Sequence, residues 1–385
     1  MSETRSAITL HESADTVPWP DTADGALARH YLEPMMREGT TRFIANANTR
    51  LHILALGDRV LPLTINDDEW SNSYVCSPYT HYVSYAREEL RELKEPKLER
   101  PLDLALRGLG SWLRAGNINR TVHVNNWLLS TNLYPRLSGE ELRRITALLV
   151  ERFPRHALVF RSIHEIEGPE WRQDFESLGY RMLASRQIYY HRPGDLTFID
   201  RQARKIWNKD RRLLERSGYE VLGPEQLTCG DLPRLLELYN LLYLDKYSYK
   251  NPQFTEPFLS QALNHGTLVL KALRKDGRID GVLGFYARNG TMTTPLFGYD
   301  TSLPQELGLY RMLSVLTHES AAERGLLLHL SSGAAGFKRC RGARPKIEYS
   351  AIHDAHLPPV RRLAWASLRR VVNHLAVPLL EKHDL

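Results

Sequence analysis

The sequence is poor in cysteine, and this scarcity restricts the chemistry that it can support. Of 385 residues, only Cys76, Cys229 and Cys340 are cysteines. None of them forms a C-x-x-C pair, and no histidine–cysteine cluster has the spacing of a zinc site. We therefore predict no metal and a reducing, cytoplasmic compartment. The three thiols are interpreted as buried or idle rather than reactive.

Long apolar segments are also missing. No run of about 18 apolar residues exists, so the sequence predicts no membrane span. Residues Met1 to Pro20 are acidic and polar and lack the apolar core of a secretory signal. We interpret residues 1–40 as a loose N-terminal arm.

The composition that remains is globular with a slight positive excess. Hydrophobic residues make up 42% and charged residues 25%, and the formal net charge is +6. This length and balance suit two domains, each with its own core. The positive excess favours an anionic partner such as a phosphorylated cofactor or RNA, but charge alone does not decide between binding and non-binding proteins.

Strand and helix patterns alternate along the first half. Two strands flank Gly57-Asp58 between Arg50 and Ile65. A helix is predicted from Pro101 to Ala115, a strand from Thr121 to Leu129, and a second helix behind Ser138, whose hydroxyl suits an N-cap. The following elements complete the order β-β-α-β-α-β-α-β, a mixed α/β layer pattern.

The second half repeats this order, which predicts a duplicated α/β fold of the layered α+β type. We expect two mixed-sheet domains in tandem, at residues 41–195 and 196–356, followed by a helical tail at 357–385. The helix from Leu196 to Arg216 is strongly basic. Two interpretations of it stay open: a tRNA-facing surface and a solvated linker.

One candidate ligand site lies where a predicted strand gives way to a helix. The strand ends at Tyr299, a loop follows, and the helix opens with Gly308 in its first turn. Exposed amides and the dipole at a helix N-terminus favour a phosphate, and a glycine lets a ligand approach the backbone. The alternative is a helix start that binds nothing. If the site binds a donor, Gly308→Val is expected to abolish binding with little change in melting temperature, because helix starts are surface features.

A second candidate is the small-residue loop Ser331 to Arg339. It follows a strand from Leu326 to Leu330, at the carboxyl edge where open α/β sheets bind ligands. Basic side chains follow at Lys338, Arg339, Arg341 and Arg344, a cluster that suits phosphate or carboxylate. A solvated basic loop is the alternative interpretation.

These two segments and the helix end Glu215-Arg-Ser-Gly-Tyr219 resemble the tandem proteins of the GNAT superfamily. The similarity is to the group related to Fem-type aminoacyl transferases and BioF2-like acetyltransferases. It covers Leu196 to Ile352, and Arg50 to His191 only by element order. The matching positions are Gly298-Tyr299, Gly333, Phe337-Lys338-Arg339 and Gly342.

The resemblance implies an acyl-coenzyme A donor whose thioester lies between two splayed strands. Its pyrophosphate would dock at an Arg/Gln-x-x-Gly-x-Gly/Ala motif, which here begins with Gln305 and ends with Tyr310 in place of the small residue. That departure leaves an aminoacyl-tRNA donor open. The equivalent segment Asn132 to Gly139 lacks the glycine pattern, so we expect no cofactor in the first half. The implied cofactor-binding residues are Gln305, Gly308, Leu309, Tyr310, Arg311, Lys338 and Arg339.

Acyl transfer needs a deprotonated acceptor, a polarised carbonyl and a held leaving group. Asp245 lies at a helix end near the acceptor entrance that the resemblance implies, Tyr299 ends a central strand, and Tyr349 could protonate the leaving group. These three are the candidate catalytic residues, although each also suits a surface or core role. The candidate substrate-binding residues are Tyr247, Tyr249, Asp300, Ser331 and Phe337.

Other polar residues lack partners at catalytic spacing. Asn125-Asn126-Trp127 is interpreted either as the lining of a groove between the halves or as structural. The histidines are interpreted as structural, since none has a partner at triad or metal spacing; they include His81, His123, His164, His353 and His356.

The sequence thus predicts an acyltransferase that moves an acyl group from acyl-coenzyme A to an amine or hydroxyl of a small molecule or peptide. One alternative is an aminoacyl-tRNA-dependent transferase of the Fem type. Another is a catalytically degenerate GNAT pair that only binds RNA or a partner protein.

Overall fold

The computed structural model describes residues 7–90, 96–166, 170–195, 197 and 199–376. The chain divides into two compact units. Unit 1 holds the described residues up to Ser185, the segment Ser248–Gln253 and the residues from Glu348 onward. Unit 2 holds Arg186–Tyr247 and Phe254–Ile347.

Helices and strands alternate throughout, with short 3-10 turns between them. Along the first half the elements are β1 (Ile8–His11), α1 (Ala23–Glu38), β2 (Arg50–Leu56), β3 (Arg59–Asn66), a π-helical turn (Thr80–Tyr85) running into α2 (Ala86–Glu89), α3 (Pro96–Ala115), β4 (Thr121–Val124), α4 (Gly139–Arg152), β5 (Ala157–Ile163), α5 (Glu170–Ser177) and β6 (Arg181–His191). They continue with α6 (Arg201–Arg216), β7 (Glu220–Leu222), α7 (Leu232–Asn240) running into a π-helical segment (Leu241–Tyr247), α8 (Glu256–His265), β8 (Val269–Lys275), β9 (Arg278–Arg288), β10 (Thr291–Tyr299), α9 (Leu309–Glu323), β11 (Leu327–His329), α10 (Ala335–Arg339), β12 (Arg344–His353) and α11 (Pro359–Val371).

The sheet of unit 1 has the strand order β1-β2-β3-β4-β5-β12. β4 and β5 run parallel, with Val122 opposite Leu158, and the other neighbours are antiparallel. Helix α4 connects the parallel pair, as a parallel connection requires. Its Ile145 packs with Phe160 in the apolar core of this unit.

The sheet of unit 2 has the strand order β7-β8-β9-β10-β11-β6. Here β10 and β11 run parallel and the other neighbours are antiparallel. Helix α9 connects the parallel pair, and its Met312 packs in one core cluster with Met292 and Leu328.

The two sheets therefore share one topology: an antiparallel run of four strands, a helix-connected parallel pair, and an antiparallel closing strand. The closing strand of unit 1 is β12, from late in the chain, and that of unit 2 is β6. This confirms the predicted fold class, two mixed-sheet α/β domains in tandem.

The loose arm predicted for residues 1–40 is wrong for most of its length. β1 pairs with β2, with Ile8 opposite Leu56. Helix α1 begins behind Thr22, whose hydroxyl accepts from the Gly25 amide, and it buries Tyr31 and Leu32 completely. Residues 1–6 of the predicted arm lie outside the described part.

The predicted domain boundaries also need correction. Unit 1 ends near residue 185 rather than 195, and it takes in Ser248–Gln253 and the strand residues from Glu348. The helical tail is not a separate element, because α11 belongs to unit 1 and buries Ala364, Trp365 and Leu368. Hydrophobic patterning locates elements but does not show which sheet each element joins.

Two local predictions fail for identifiable reasons. The strand predicted from Thr121 to Leu129 ends at Val124, because Asn125 and Leu128 adopt positive φ values of 54° and 58°. Asn125, Asn126 and Trp127 are fully buried, and the Asn126 amide donates to Thr64 Oγ1 at 2.8 Å. They are core residues of unit 1. Helix α3 begins at Pro96, so Pro101 lies inside it instead of opening it.

Candidate functional site

The parallel pair of unit 2 is short and opens at its carboxyl end. β10 and β11 pair through Thr291–Thr293 and Leu327–His329, after which β11 ends and β10 continues to Tyr299. The pairing of β10 with β9 is irregular between Thr293 and Leu296. The resulting divergence lies at the edge where ligands bind in sheets of this kind.

Helix α9 begins beside this divergence and leaves its first amides unoccupied. Gly308 precedes it with φ of 71°, in the left-handed region, and no side chain caps the helix. No group in the described part of the chain accepts from the amides of Leu309, Tyr310 or Arg311. The helix dipole adds positive potential there, so this end of the helix suits an anion.

Four aromatic rings form a cluster at the first turn of α9. The Tyr310 ring packs edge-on against Phe337 at 4.6 Å and Phe297 at 5.3 Å, and it lies 6.2 Å from Tyr299. Burial and the neighbouring Tyr247 and Tyr299 raise the Tyr310 pKa, so its phenol stays neutral. Tyr310 therefore occupies space that a small residue would leave open.

Of the other predicted cofactor residues in this segment, one is exposed and two have their side chains inside unit 2. Gln305 is exposed in the turn before Gly308, whereas the Leu309 side chain is in the core of unit 2. The Arg311 guanidinium donates to Asp210 Oδ1 at 2.7 Å. The Arg311 side chain is therefore part of an internal ion pair, in contrast to the predicted phosphate contact.

Arg341 meets the other oxygen of the same carboxylate. Its guanidinium donates to Asp210 Oδ2 at 2.8 Å and lies 3.4 Å from the centre of the Phe337 ring. Asp210 is 1% exposed. Arg341 of the predicted basic cluster is thus part of an internal ion pair.

The loop after β11 has an unusual backbone held by one lysine. Ser331, Gly333 and Ala334 have φ values of 57°, 77° and 50°. The Lys338 ammonium is buried and donates to the carbonyls of Leu330 at 2.7 Å and Ser332 at 2.8 Å. Burial and the nearby Arg186 charge lower the Lys338 pKa to about 7. Lys338 therefore organises the loop, and the prediction that it points to a phosphate is wrong.

The other predicted site residues of this loop differ in their contacts and exposure. Ser331 Oγ accepts from the Arg186 guanidinium at 2.9 Å. Arg339 is exposed, with its guanidinium 5.8 Å from the centre of the Tyr189 ring. Phe337 packs in the aromatic group described above. Of these residues, Arg339 is the one whose charge faces solvent.

The predicted acceptor side is partly accessible. Asp245 and Tyr247 are exposed in the π-helical segment that ends α7, and Tyr299 is half-buried at the end of β10. π-helical turns recur at functional sites. These three side chains remain candidates for handling the acceptor.

Asp300 is an internal anchor rather than a substrate ligand. It is 3% exposed and accepts from Arg234, Arg278 and the Ser302 hydroxyl. Burial opposes ionisation, but the Ser302 and Arg234 hydrogen bonds outweigh it and lower the Asp300 pKa to about 2. Its oxygens are committed, so the predicted substrate contact is wrong.

Two predicted site residues belong to unit 1. Tyr249 lies in Ser248–Gln253 with its side chain exposed. Tyr349 lies on β12 opposite Ile163, packs against the core of unit 1, and has the Arg172 guanidinium 5.0 Å from its ring centre. The prediction that they share a domain with Tyr299 is wrong, because the closing strand of unit 1 comes from the second half of the sequence.

The corresponding helix start in unit 1 is occupied. Ser138 Oγ accepts from the Glu141 amide, and the Glu141 carboxylate accepts from the Ser138 amide, which forms a capping box. Arg59 also binds Glu141. The Glu141 amide is the counterpart of the Arg311 amide in α9, which has no capping side chain.

Sequence reasoning missed Asp210 as a structural centre. The sequence held a clue to this role, because Asp210 is an acid within a strongly basic helix, three residues after Trp207 and three before Leu213. In the structure this side of the helix faces α9. Phe297 and Arg234 carried no comparable signal, because an aromatic strand residue and a helix arginine are ordinary in sequence.

Two searches of the described residues gave no further site. No group of three or more histidine, cysteine, aspartate or glutamate side chains converges as for a metal. No helix there is long and apolar enough to cross a membrane.

Comparison with known proteins identifies the fold of the second half. Residues 200–339 match the family model of the acetyltransferase (GNAT) domain. This confirms the resemblance and places this segment in the GNAT superfamily. No curated protein matches the sequence.

Solved structures with similar folds are distant in sequence. L-PGS from Bacillus licheniformis is 16% identical, with 60% of this chain and 78% of that chain covered and a TM-score of 0.43. FemX is 10% identical, with 59% and 79% covered and a TM-score of 0.44. A tandem GNAT protein from the clavulanic acid biosynthesis pathway is 10% identical, with 90% and 98% covered and a TM-score of 0.39.

Proposed function

We propose that unit 2 transfers an acyl group from acyl-coenzyme A to an amine or hydroxyl of a small molecule or peptide. The observation that carries this proposal is the uncapped start of α9 beside the divergence of β10 and β11. The GNAT match over residues 200–339 supports the transferase class. The unpaired cysteines agree with a reducing, cytoplasmic setting.

The residues present fit a diphosphate held by the backbone. The amides of Leu309, Tyr310 and Arg311 are available, and Gly308 has no side chain to obstruct them. Arg311, Lys338 and Arg341 are engaged internally, so their charges do not face the ligand. Binding would therefore depend on the helix start, which the exposed turn of Gln305 and Glu306 precedes.

The proposed reaction is direct transfer without a covalent enzyme intermediate. The acceptor nitrogen or oxygen attacks the thioester carbonyl, the carbon–sulfur bond breaks, and the thiolate leaves. Tyr247 would orient the acceptor, the Asp245 carboxylate would take up its proton, and Tyr299 would protonate the thiolate. Tyr299 suits this role because it ends β10 beside the Tyr310 ring.

Calorimetric titration with acetyl- and longer acyl-coenzyme A tests the donor. Micromolar binding to the wild type is expected, and Tyr299→Phe should keep this affinity while lowering turnover at least tenfold, because it removes only the phenol. Tyr190→Phe is the control for loss of a tyrosine hydroxyl in the same unit. The absence of binding to any acyl-coenzyme A by the folded wild type would overturn the proposal.

A second candidate function is aminoacyl transfer from a charged tRNA, and the outer face of α6 favours it. Six exposed cations there pair with no carboxylate in the described part of the chain, namely Arg201, Arg204, Lys205, Lys209, Arg212 and Arg216. An array of this kind suits a phosphate backbone. The large exposed apolar residues of the protein lie elsewhere, so this face offers nothing to insert into a lipid layer.

Gel-shift titration with tRNA at several salt concentrations distinguishes the candidates. The tRNA candidate predicts that Lys205→Glu/Lys209→Glu/Arg212→Glu weakens binding strongly and flattens its salt dependence. Arg362→Glu/Arg370→Glu, on exposed positions of α11, is the control. Binding of tRNA without any aminoacyl transfer would indicate a degenerate pair that only binds.

A further inference from the structure

We propose that Asp210 is a positioning residue for the donor cleft, because it sets the distance between the two arms that follow β10 and β11. The expected effect on donor affinity rests on the proposed function. The effect of Asp210 on the separation of the two arms can be tested without any donor. It concerns a residue that would not itself touch the donor.

The two arms separate where strand pairing stops. The first arm runs from β10 into the first turn of α9, and the second runs from β11 through the loop into α10. Their parallel pairing covers three residues on each strand, Thr291–Thr293 and Leu327–His329. Beyond those residues the sheet no longer fixes their separation.

Asp210 joins the two arms through one carboxylate. Arg311, in the first turn of α9, donates to Oδ1 through two nitrogens at 2.7 and 2.6 Å. Arg341, directly after α10, donates to Oδ2 at 2.8 and 2.7 Å. Each carboxylate oxygen thus binds the arginine of one arm. Because a guanidinium group is planar and donates through two nitrogens, it fixes the orientation of the arm as well as its distance from Asp210.

The apolar contact between the arms depends on the same link. Arg341 also donates to the Phe337 carbonyl at 2.9 Å and stacks on the Phe337 ring. Phe337 in turn packs against Tyr310. Asp210 therefore holds the pair of rings that closes the cleft at its α9 end.

The setting excludes a role for Asp210 as a proton acceptor. Its carboxylate is 1% exposed and both oxygens bind guanidinium groups. Two cations share one anion, which leaves one positive charge beneath the first turn of α9. Loss of Asp210 would leave the buried Arg341 and the half-buried Arg311 without their shared acceptor, so the arms would move apart.

A matched control exists on the same pair of helices. Arg211 on α6 binds Glu319 on α9 at 3.0 Å, with side chains that are 56% and 36% exposed. This pair also links α6 to α9, but far from the first turn of α9. Glu319→Gln therefore separates a general link between the helices from the specific effect of Asp210.

Hydrogen exchange and donor titration of Asp210→Asn test the inference. We expect the hydrogen-bonded amides of Met312, Lys338 and Cys340 to exchange at least tenfold faster than in the wild type, with β8 and β9 unchanged. The dissociation constant for acetyl-coenzyme A should rise at least tenfold, and Glu319→Gln should change neither readout. Wild-type exchange in both arms of Asp210→Asn would overturn the inference.

A second variant covers the case in which Asp210→Asn fails to fold. Buried ion triads can be replaced by apolar residues without loss of stability, so Asp210→Leu/Arg311→Leu/Arg341→Leu is expected to fold and still show fast exchange in both arms. If it kept wild-type exchange and affinity, the triad would only fill space. If the wild type bound no acetyl-coenzyme A, the donor proposal would fail, while the exchange result would still decide the role of Asp210.

Discussion

A side chain at Gly308 would require the Leu213 side chain to move. A Cβ atom on Gly308 would lie 2.6 Å from Leu213 Cδ2, and the φ of 71° at this position disfavours any other residue. Gly308 itself is thus packed against Leu213 of α6, although the turn before it is exposed, so a substitution at Gly308 is not a pure surface change.

Gly308→Val should therefore destabilise the protein as well as impair donor binding. A branched residue in the left-handed region and the clash with Leu213 together cost about 1–3 kcal/mol of unfolding free energy. Urea unfolding monitored by circular dichroism measures this loss. Gly308→Ala/Leu213→Ala should recover the part due to the clash, and an unchanged unfolding midpoint in Gly308→Val would contradict the expectation.

Lys338 should make stability depend on pH. Its folded pKa is about 7, whereas an unfolded lysine keeps its proton to about pH 10. The unfolded state binds more protons between these values, so the contribution of Lys338 to stability rises with pH across this window. The stability of the wild type relative to Lys338→Met should increase by up to about 1.4 kcal/mol per pH unit above pH 7. Unfolding titrations at pH 7, 8 and 9 check this, and a difference that stays constant would argue against a buried, titrating lysine.

Asp300→Asn should change stability rather than substrate affinity. Removing the carboxylate leaves Arg234 and Arg278 without their shared acceptor, at a cost of about 2 kcal/mol. The folded pKa of Asp300 is about 2 and the unfolded value about 3.9, so this contribution is present above pH 4 and is lost as pH falls toward 2. The wild type and the variant should converge over that range in acid unfolding. A raised KM with unchanged stability would restore Asp300 as a substrate ligand.

Ser138→Ala should weaken α4 without affecting the donor. Loss of this N-cap typically costs about 1 kcal/mol. Thermal unfolding measures the loss, and calorimetry with acetyl-coenzyme A should give the wild-type affinity if the donor binds in unit 2. A change in donor affinity would place part of the site in unit 1.

Much of the fold could be predicted from periodicity and turn chemistry. The strand predicted to end at Tyr299 does end there, and the hairpin around Gly57-Asp58 is where it was expected. β1 was missed because its four residues, with a threonine and a histidine among them, carry too little apolar pattern to stand out. The repeated order of predicted elements indicated a duplicated fold, but it did not show which strands pair, because pairing depends on contacts between distant segments.

The site was predictable in position and less so in the roles of its side chains. Gly308 lies at the helix start that the motif indicated. The charges of Arg311 and Lys338 were visible in sequence, but their partners, Asp210 and a set of loop carbonyls, come from contacts that composition does not reveal. A basic residue near a phosphate motif is therefore informative only when its own acceptors are known.

The late position of β12 has a consequence for how the protein is made. The sheet of unit 1 lacks its closing strand until residue 353 has left the ribosome, well after β5 has been synthesised. At ordinary elongation rates the interval from β6 to β12 lasts roughly ten to thirty seconds. During that time the edge of β5 has no β12 to pair with, and an open edge can recruit other chains. Nascent chains should therefore depend on chaperones in this interval, and an expression fragment that stops after β6 should aggregate even though it contains most of unit 1.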